Sequence, residues 1–261
     1  MQYISDVHLD VDDVFTLVKA PGAKYLALCG DIAQFDDETL YVKLRKWSKM
    51  YEKILYIPGN HEYFYGQMKK LIEIFKKRKP LNVILFDRER IELDGIIYLG
   101  CTLWAKVPIE HSAYVSKRIR DYSAIYSGVD WEGVPLLLTV EDTNKLHDMD
   151  VRWLGNAIKK VEDENKEAVE NKQELKQVVV LTHHAPFTVG TSPPRFKGVD
   201  LFGFCTDMSE LFKHHITHWI FGHTHHPCNI KIKQTRLLSN PRGYPSELIK
   251  MNPKLINQNP K

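Results

Sequence analysis

The chain has 261 residues, 43% of them hydrophobic, and a net charge of +3; bulk disorder is excluded, and the mild basic excess neither demands nor excludes nucleic acid. Its four cysteines (Cys29, Cys101, Cys205 and Cys228) are scattered without a CxxC pair, so a disulfide framework is not expected and a reducing, cytoplasmic setting is. No apolar run approaches the ~18 residues of a membrane span, and the opening MQYISDVHL lacks the basic start of a cleaved signal peptide.

In chain order, YIS at 3–5, YLALC at 25–29 and ILYI at 54–57 read as buried strands bounded by Gly, Pro or Asp. Amphipathic helices fall between and after them. One places Leu40, Leu44, Trp47 and Tyr51 on a stripe after the acidic Asp36, Asp37 and Glu38; the next places Met68, Leu71, Ile72 and Phe75 on another. This β-α-β-α order implies parallel strands. RIELDGIIYLG at 90–100 carries an Asp-Gly hairpin signal, so a second, partly antiparallel sheet follows. A helix through Trp153, Leu154, Ala157, Ile158 and Val161 runs into the charged VEDENKEAVENKQELK, a solvated extension or a flexible excursion. Next come the strand VVVLT at 178–182, a long loop over 186–207, a short helix near 209–213, the strand WIF at 219–221, and strands near 230–232 and 237–239.

Five of these apolar runs are each followed at once by residues of ligand type: YISDVH, YLALCGD, ILYIPGNHE, VVVLTHH and WIFGHTH. In open α/β folds the loops after the strands line the ligand crevice. Asp6, His8, Asp31, Asn60, His61, His183, His223 and His225 are therefore expected to converge. Carboxylate, imidazole and amide oxygen suit divalent first-row metals. Asp-x-His and His-x-His would set two side chains on one side of extended backbone, and Gly30, Gly59 and Gly222 would let the chain turn from strand to ligand. One carboxylate can bridge two ions, and a two-ion site can clamp both oxygens of a phosphoryl displacement.

D-x-H, G-D, G-N-H-E, a strand-terminal His and G-H-x-H, in that order from residue 6 to residue 225, resemble the calcineurin-like metallophosphoesterase family; NPRGY at 240–244 is also similar to some members. The resemblance implies an α/β fold, a four-layer α/β/β/α sandwich with two mixed sheets, as a single metallophosphoesterase domain over 1–261. It implies two divalent ions (Mn, Fe, Zn, Ni or Mg), with Asp6, His8 and His225 on one, Asn60, His183 and His223 on the other, and Asp31 bridging. His61 would be catalytic, protonating the leaving oxygen or holding the phosphate, while a metal-bridging hydroxide attacks phosphorus in line. His183 is preferred over His184 as the first residue past the apolar run, although a one-residue slip would exchange them.

The expected activity is hydrolysis of phosphomonoesters or phosphodiesters. The expected partner is a phosphorylated small molecule, nucleotide or phosphoprotein, with no membrane role and nucleic acid disfavoured. A non-catalytic scaffold of the same fold is the alternative, disfavoured by the presence of His61; a nuclease is the other, disfavoured because 226–261 shows no DNA-binding or coiled-coil segment. KKLIEIFKKRK at 69–79 reads as a solvated helix face. His111, His147, His214, His215 and His218 have no motif context, and His184 and His226 are ambiguous. Arg118, Arg120, Arg195 and Arg242 each suit a phosphate, though Arg242 in NPRGY equally suits a structural turn. Specificity is expected in 105–135 and 186–207, where Phe187, Phe196, Phe202 and Phe204 would wall a pocket or belong to the core, the core reading being preferred.

Overall fold

The structure, a computed structural model, describes residues 1–249, 251 and 253–256. In chain order its strands and longer helices are β1 (Gln2–Ile4), β2 (Tyr25–Cys29), α1 (Glu38–Trp47), β3 (Lys53–Ile57), α2 (Met68–Arg78), β4 (Val83–Leu85), β5 (Glu89–Leu93), β6 (Ile96–Gly100), α3 (Ser112–Arg118), α4 (Asp121–Ala124), β7 (Tyr126–Val129), β8 (Pro135–Leu137), α5 (Val140–Glu170), β9 (Gln177–Leu181), β10 (Ile216–Phe221), β11 (Cys228–Ile232) and β12 (Thr235–Ser239). One sheet has the order β1-β2-β3-β4 and the other β11-β12-β10-β9-β6-β5, while β7 and β8 form a separate hairpin. The second sheet is mixed: β12, β10, β9 and β6 run parallel, and the edge strands β11 and β5 pair antiparallel. In the first sheet the four strands pair parallel, and Leu255 adds an antiparallel bridge to Gln2 at its edge. Each of its connections contains a crossover, and a hairpin nowhere interrupts the series.

The period of two along each strand sorts the side chains into layers. Leu26 and Leu28 of β2, with Ile54 and Tyr56 of β3, pack under Leu40, Leu44 and Trp47 of α1 and Leu71 and Phe75 of α2. The alternate residues Tyr25, Ala27, Cys29, Leu55 and Ile57 face Tyr98, Val179, Leu181, Ile220 and Leu238 of the second sheet. That sheet's other face, including Leu99, Val178, Val180 and Trp219, meets Leu154, Ile158 and Val161 of α5. The order of layers is helix, sheet, sheet, helix. Each fully buried Val, Leu, Ile or Phe in these interfaces contributes roughly 1.5–3 kcal/mol.

Helix α5 begins earlier than the apolar stripe suggested. Thr139 caps it reciprocally with Asp142, a capping box that satisfies amides in the first turn. The charged continuation is helical to Glu170 and is tied down: Arg90 donates two bonds to Glu164, at 2.8 and 2.7 Å, and Asn165 exchanges hydrogen bonds with the backbone of Lys176. The strand ends meet at one rim, where Asp6 N–H donates to Gly30 O, Gly222 N–H to His183 O and His183 N–H to Thr102 O.

Candidate metal centre

Immediately past the strand ends the backbone turns left-handed. Asp6, His8, Asp31, His223 and His225 have φ of 52°, 50°, 55°, 65° and 49°. Non-glycine residues seldom adopt this region, which costs on the order of 1–3 kcal/mol per residue. The expected alternation along extended backbone is thus corrected: Asp6 and His8, and His223 and His225, point inward through strained turns. Gly30 has φ 83°. Gly59 serves close approach instead, since a Cβ there would lie 2.2 Å from Asp31 Oδ1.

The rim gathers the predicted residues into overlapping groups. The donor atoms of Asp6, His8, Asp31 and His225 lie within 4.8 Å of one another, as do those of Asp31, His183 and His223. Asp31 belongs to both. Asn60 joins the second, its Oδ1 lying 3.0 Å from His183 Nε2. His184 and His226 belong to neither; His184 is buried with its ring 4.0 Å from that of His223. His61 sits beside the shared carboxylate, and its backbone N–H donates to Asp31 Oδ1 at 2.9 Å.

The ring nitrogens show what such a centre could hold. His183 Nδ1 lies 2.8 Å from the carbonyl of Cys29, so it must carry the proton. Its Nε2 then faces two more acceptors, Asn60 Oδ1 at 3.0 Å and Asp31 Oδ1 at 3.3 Å, a place for a cation or for a second proton: burial opposes that proton, but Asp31 raises His183 to about 9. His225 repeats the arrangement. Its Nδ1 donates to Glu247 Oε2 at 2.6 Å, while Nε2 faces His8 Nε2 at 2.9 Å and Asp6 Oδ1 at 3.6 Å. His223 Nε2 donates to Gly203 O at 3.1 Å, which frees Nδ1. Among the described residues, Asp6 Oδ2 and His8 Nδ1 are buried without a hydrogen-bond partner. Lone pairs facing lone pairs in a buried cluster are unfavourable unless a proton or a metal cation lies between them. The residues fit divalent metal, and outer acceptors fix the tautomers of His183, His223 and His225.

Electrostatics follow from burial and these neighbours. Burial opposes charge on Asp31, yet His183 and then His61 hold it well below the usual carboxylate range. Burial leads in lowering His223, to about 3, and His8 is likewise pushed down. For His61 burial opposes protonation, but Asp31 and then Asp10 raise it to about 9.

Several supporting residues fall outside the strand-end motifs. Asp10 lies 3.5 Å from His61 Nδ1, and Asp121 accepts from Asn60 Nδ2 at 2.8 Å. Tyr244 stacks on His8 and its hydroxyl lies 3.3 Å from His61 Nε2. Arg242 is structural, donating to the carbonyls of Val7 and Asp12 and pairing with the Asp12 carboxylate. A cavity of ≈ 250 Å³ opens above the centre, bordered by Arg118, Arg120, Arg195, Phe196 and Phe204. The core expectation for the phenylalanines holds for two of the four. Phe187 packs against the second-sheet core and Phe202 against Val107, Val115 and Val140, whereas Phe196 and Phe204 line the cavity.

Residues 3–227 match the model of the Calcineurin-like phosphoesterase family. The chain belongs to that family. It is 29% identical to an uncharacterized protein of Acanthamoeba polyphaga mimivirus, over 97% of this chain and 94% of that one. Its fold is similar to the crystal structure of phosphopantetheinyl hydrolase from Mycobacterium tuberculosis, with a TM-score of 0.64 at 15% identity, over 94% of this chain and 90% of the other. Membership in the calcineurin-like phosphoesterases makes the chain a phosphoesterase-type hydrolase by family, and that family normally binds divalent metals.

Proposed function

We propose that this calcineurin-like phosphoesterase hydrolyses phosphomonoesters or phosphodiesters at a dinuclear centre. The observation that carries the reading is the sharing of Asp31 by two clusters of ligand-type atoms. In this reading Asp6, His8 and His225 would hold one ion, Asn60, His183 and His223 would hold the other, and Asp31 would serve both. When bound, the ions (Mn, Fe, Zn, Ni or Mg) supply Lewis-acid polarisation of a phosphoryl oxygen and lower the pKa of water.

The chain's own residues do the remainder. Cys29 O, Gly203 O and Glu247 orient the imidazoles. Asp10 lies 3.5 Å from His61 Nδ1 and, with Asp31, favours the protonated ring, whose Nε2–H, beside Tyr244, protonates the leaving oxygen. In the net reaction the oxygen of water joins phosphorus, the P–O bond to the leaving group breaks, and the departing oxygen takes a proton. Phe64, Phe196 and Phe204 wall the cavity, limiting water, and the arginines attract anionic substrate. The substrate is a phosphorylated small molecule, nucleotide or phosphoprotein. We take the chain as one domain over 1–261, part of which lies outside the described residues. A cytoplasmic setting is supported by four buried, unpaired thiols. No helix of the described residues is long and apolar enough to cross a membrane.

The test is turnover of an aryl phosphate and a bis-aryl phosphate with Mn²⁺, halted by chelator and restored by metal. Absence of turnover across a panel of divalent ions would overturn this reading in favour of a scaffold.

A further inference from the structure

The cavity over the candidate centre continues outward. Arg118, Arg195, Phe196 and Phe204 line both the inner space and a neighbouring outer one of ≈ 290 Å³, whose far wall includes Tyr114 and Asp200. Each space alone is at or below the lower end of the about 300–1,000 Å³ usual for small-molecule sites, and the joined groove falls within it. A compact phosphomonoester would fill only the inner part.

The shared wall has two chemical characters. One is flat and aromatic: the Phe204 ring lies 5.1 Å from His223, Phe196 stacks on Phe204 at 4.2 Å and 17°, and the Arg195 guanidinium lies 5.0 Å from the Phe196 ring. These rings lead from the candidate centre outward; since Phe196 and Phe204 stack on each other, a planar heterocycle would lie against the Arg195 guanidinium and the ring edges that border the groove. The other is cationic. Arg118 Nε pairs with Asp200 at 3.2 Å and Arg195 Nη2 with Glu247 at 2.9 Å, both side chains being 60% exposed. A guanidinium has five N–H donors, so each has others to offer an anion.

We propose that this groove binds a nucleotide carrying two phosphoryl groups. One phosphoryl lies over the cluster centred on Asp31, the second meets Arg118 and Arg195, and the heterocycle lies against the Arg195 guanidinium and the edges of Phe196 and Phe204. The proposal rests on the phosphoesterase reading for its inner phosphoryl. The two phosphoryls can be joined to each other or sit on separate sugar positions, and the test distinguishes these.

The experiment is calorimetric titration of the full chain, loaded with Mn²⁺, in the His61→Ala background so that ligand persists. The probes are adenosine 5′-diphosphate, adenosine 3′,5′-bisphosphate, adenosine 5′-monophosphate and inorganic pyrophosphate. At least one of the first two binds tenfold or more tightly than both the monophosphate and pyrophosphate. Phe196→Ala lowers its advantage over pyrophosphate at least fivefold, and Arg118→Ala lowers its advantage over the monophosphate similarly. Such ratios are unaffected by an inactive fraction of either variant. Equal affinities in the parent, or ratios unmoved by both substitutions, overturn the proposal. Discrimination without wild-type aryl phosphate turnover would sink the phosphoesterase reading and leave the groove's ligand standing; turnover without discrimination would do the reverse.

Discussion

The Glu62 carboxylate holds the backbone of Asp31, accepting its N–H at Oε2 over 2.9 Å. The same oxygen accepts Gly59 N–H at 2.7 Å, while Oε1 accepts Ile32 N–H at 2.7 Å and the Tyr56 hydroxyl at 2.8 Å. Four donors converge on the two oxygens of one buried carboxylate, whose pKa burial raises to about 7, and which joins the loop after β2 to the loop after β3. Glu62→Gln turns an amide NH₂ toward donors. It should cost roughly 3–5 kcal/mol, a fall of about 6 °C or more in the melting temperature, together with reduced metal content. A variant melting within a degree of wild type would show that Glu62 is not the clamp.

Gly59→Ala tests close approach. The added Cβ meets Asp31 Oδ1 at 2.2 Å and Asp31 N at 2.6 Å, so the loop must shift. Turnover should fall about 100-fold or more, as expected when a reacting group is displaced by about 1 Å. Steady-state kinetics that stay within threefold of wild type would show the loop has slack.

Metal analysis separates the histidine pair and the shared carboxylate. His183→Ala should retain one ion of two, and His184→Ala both, because only His183 turns its Nε2 toward Asp31 and Asn60. Asp31→Asn should weaken both positions together. Full occupancy in that variant would remove the bridging role.

His61→Ala should keep its metal and lose about 10²–10⁴ in kcat. Loss of metal in step with activity would instead make His61 a ligand. Leaving groups of lower pKa, which need less protonation, should rescue the variant in a linear free-energy series.

Stability should depend on pH through Asp150, away from the rim. Burial raises its carboxyl to about 6 even though Arg88 donates to it at 2.6 Å and opposes the shift. Folded pKa exceeds the unfolded value of about 3.9, so the folded state binds the extra proton. That contribution is complete below about pH 4 and is lost as pH rises through about 6. Asp150→Asn should flatten this part of the profile in chemical denaturation; an identical slope in both proteins would refute the assignment.

The parts legible in the sequence were those written at strand ends. Buried strands declare themselves as apolar runs, and a ligand-type residue directly after one has a place in the fold. Glu247, Asp10, Asp121 and Tyr244 had no such frame. Glu247 reaches His225 across 22 residues of chain with no period, so only the tertiary path makes it a partner. The early start of α5 was readable, since Thr139 and Asp142 have capping-box spacing, but the apolar stripe drew attention further on. The β7–β8 hairpin lacked a signal because strands of four and three residues with little burial leave no alternation. Left-handed backbone at Asp6, His8 and Asp31 was unreadable for a different reason: Asp and His enter that region more often than most residues, yet too seldom for residue type alone to mark it.

That conformation affects how the rim tolerates mutation. Asparagine is at home with positive φ and alanine is not. An alanine scan of Asp6, His8, Asp31, His223 and His225 would therefore record a relaxing main chain along with the missing ligand. Asparagine replacements would spare the main chain while exchanging carboxylate or imidazole for a neutral amide oxygen, and drift at these positions should pass through asparagine or glycine sooner than through any branched aliphatic residue.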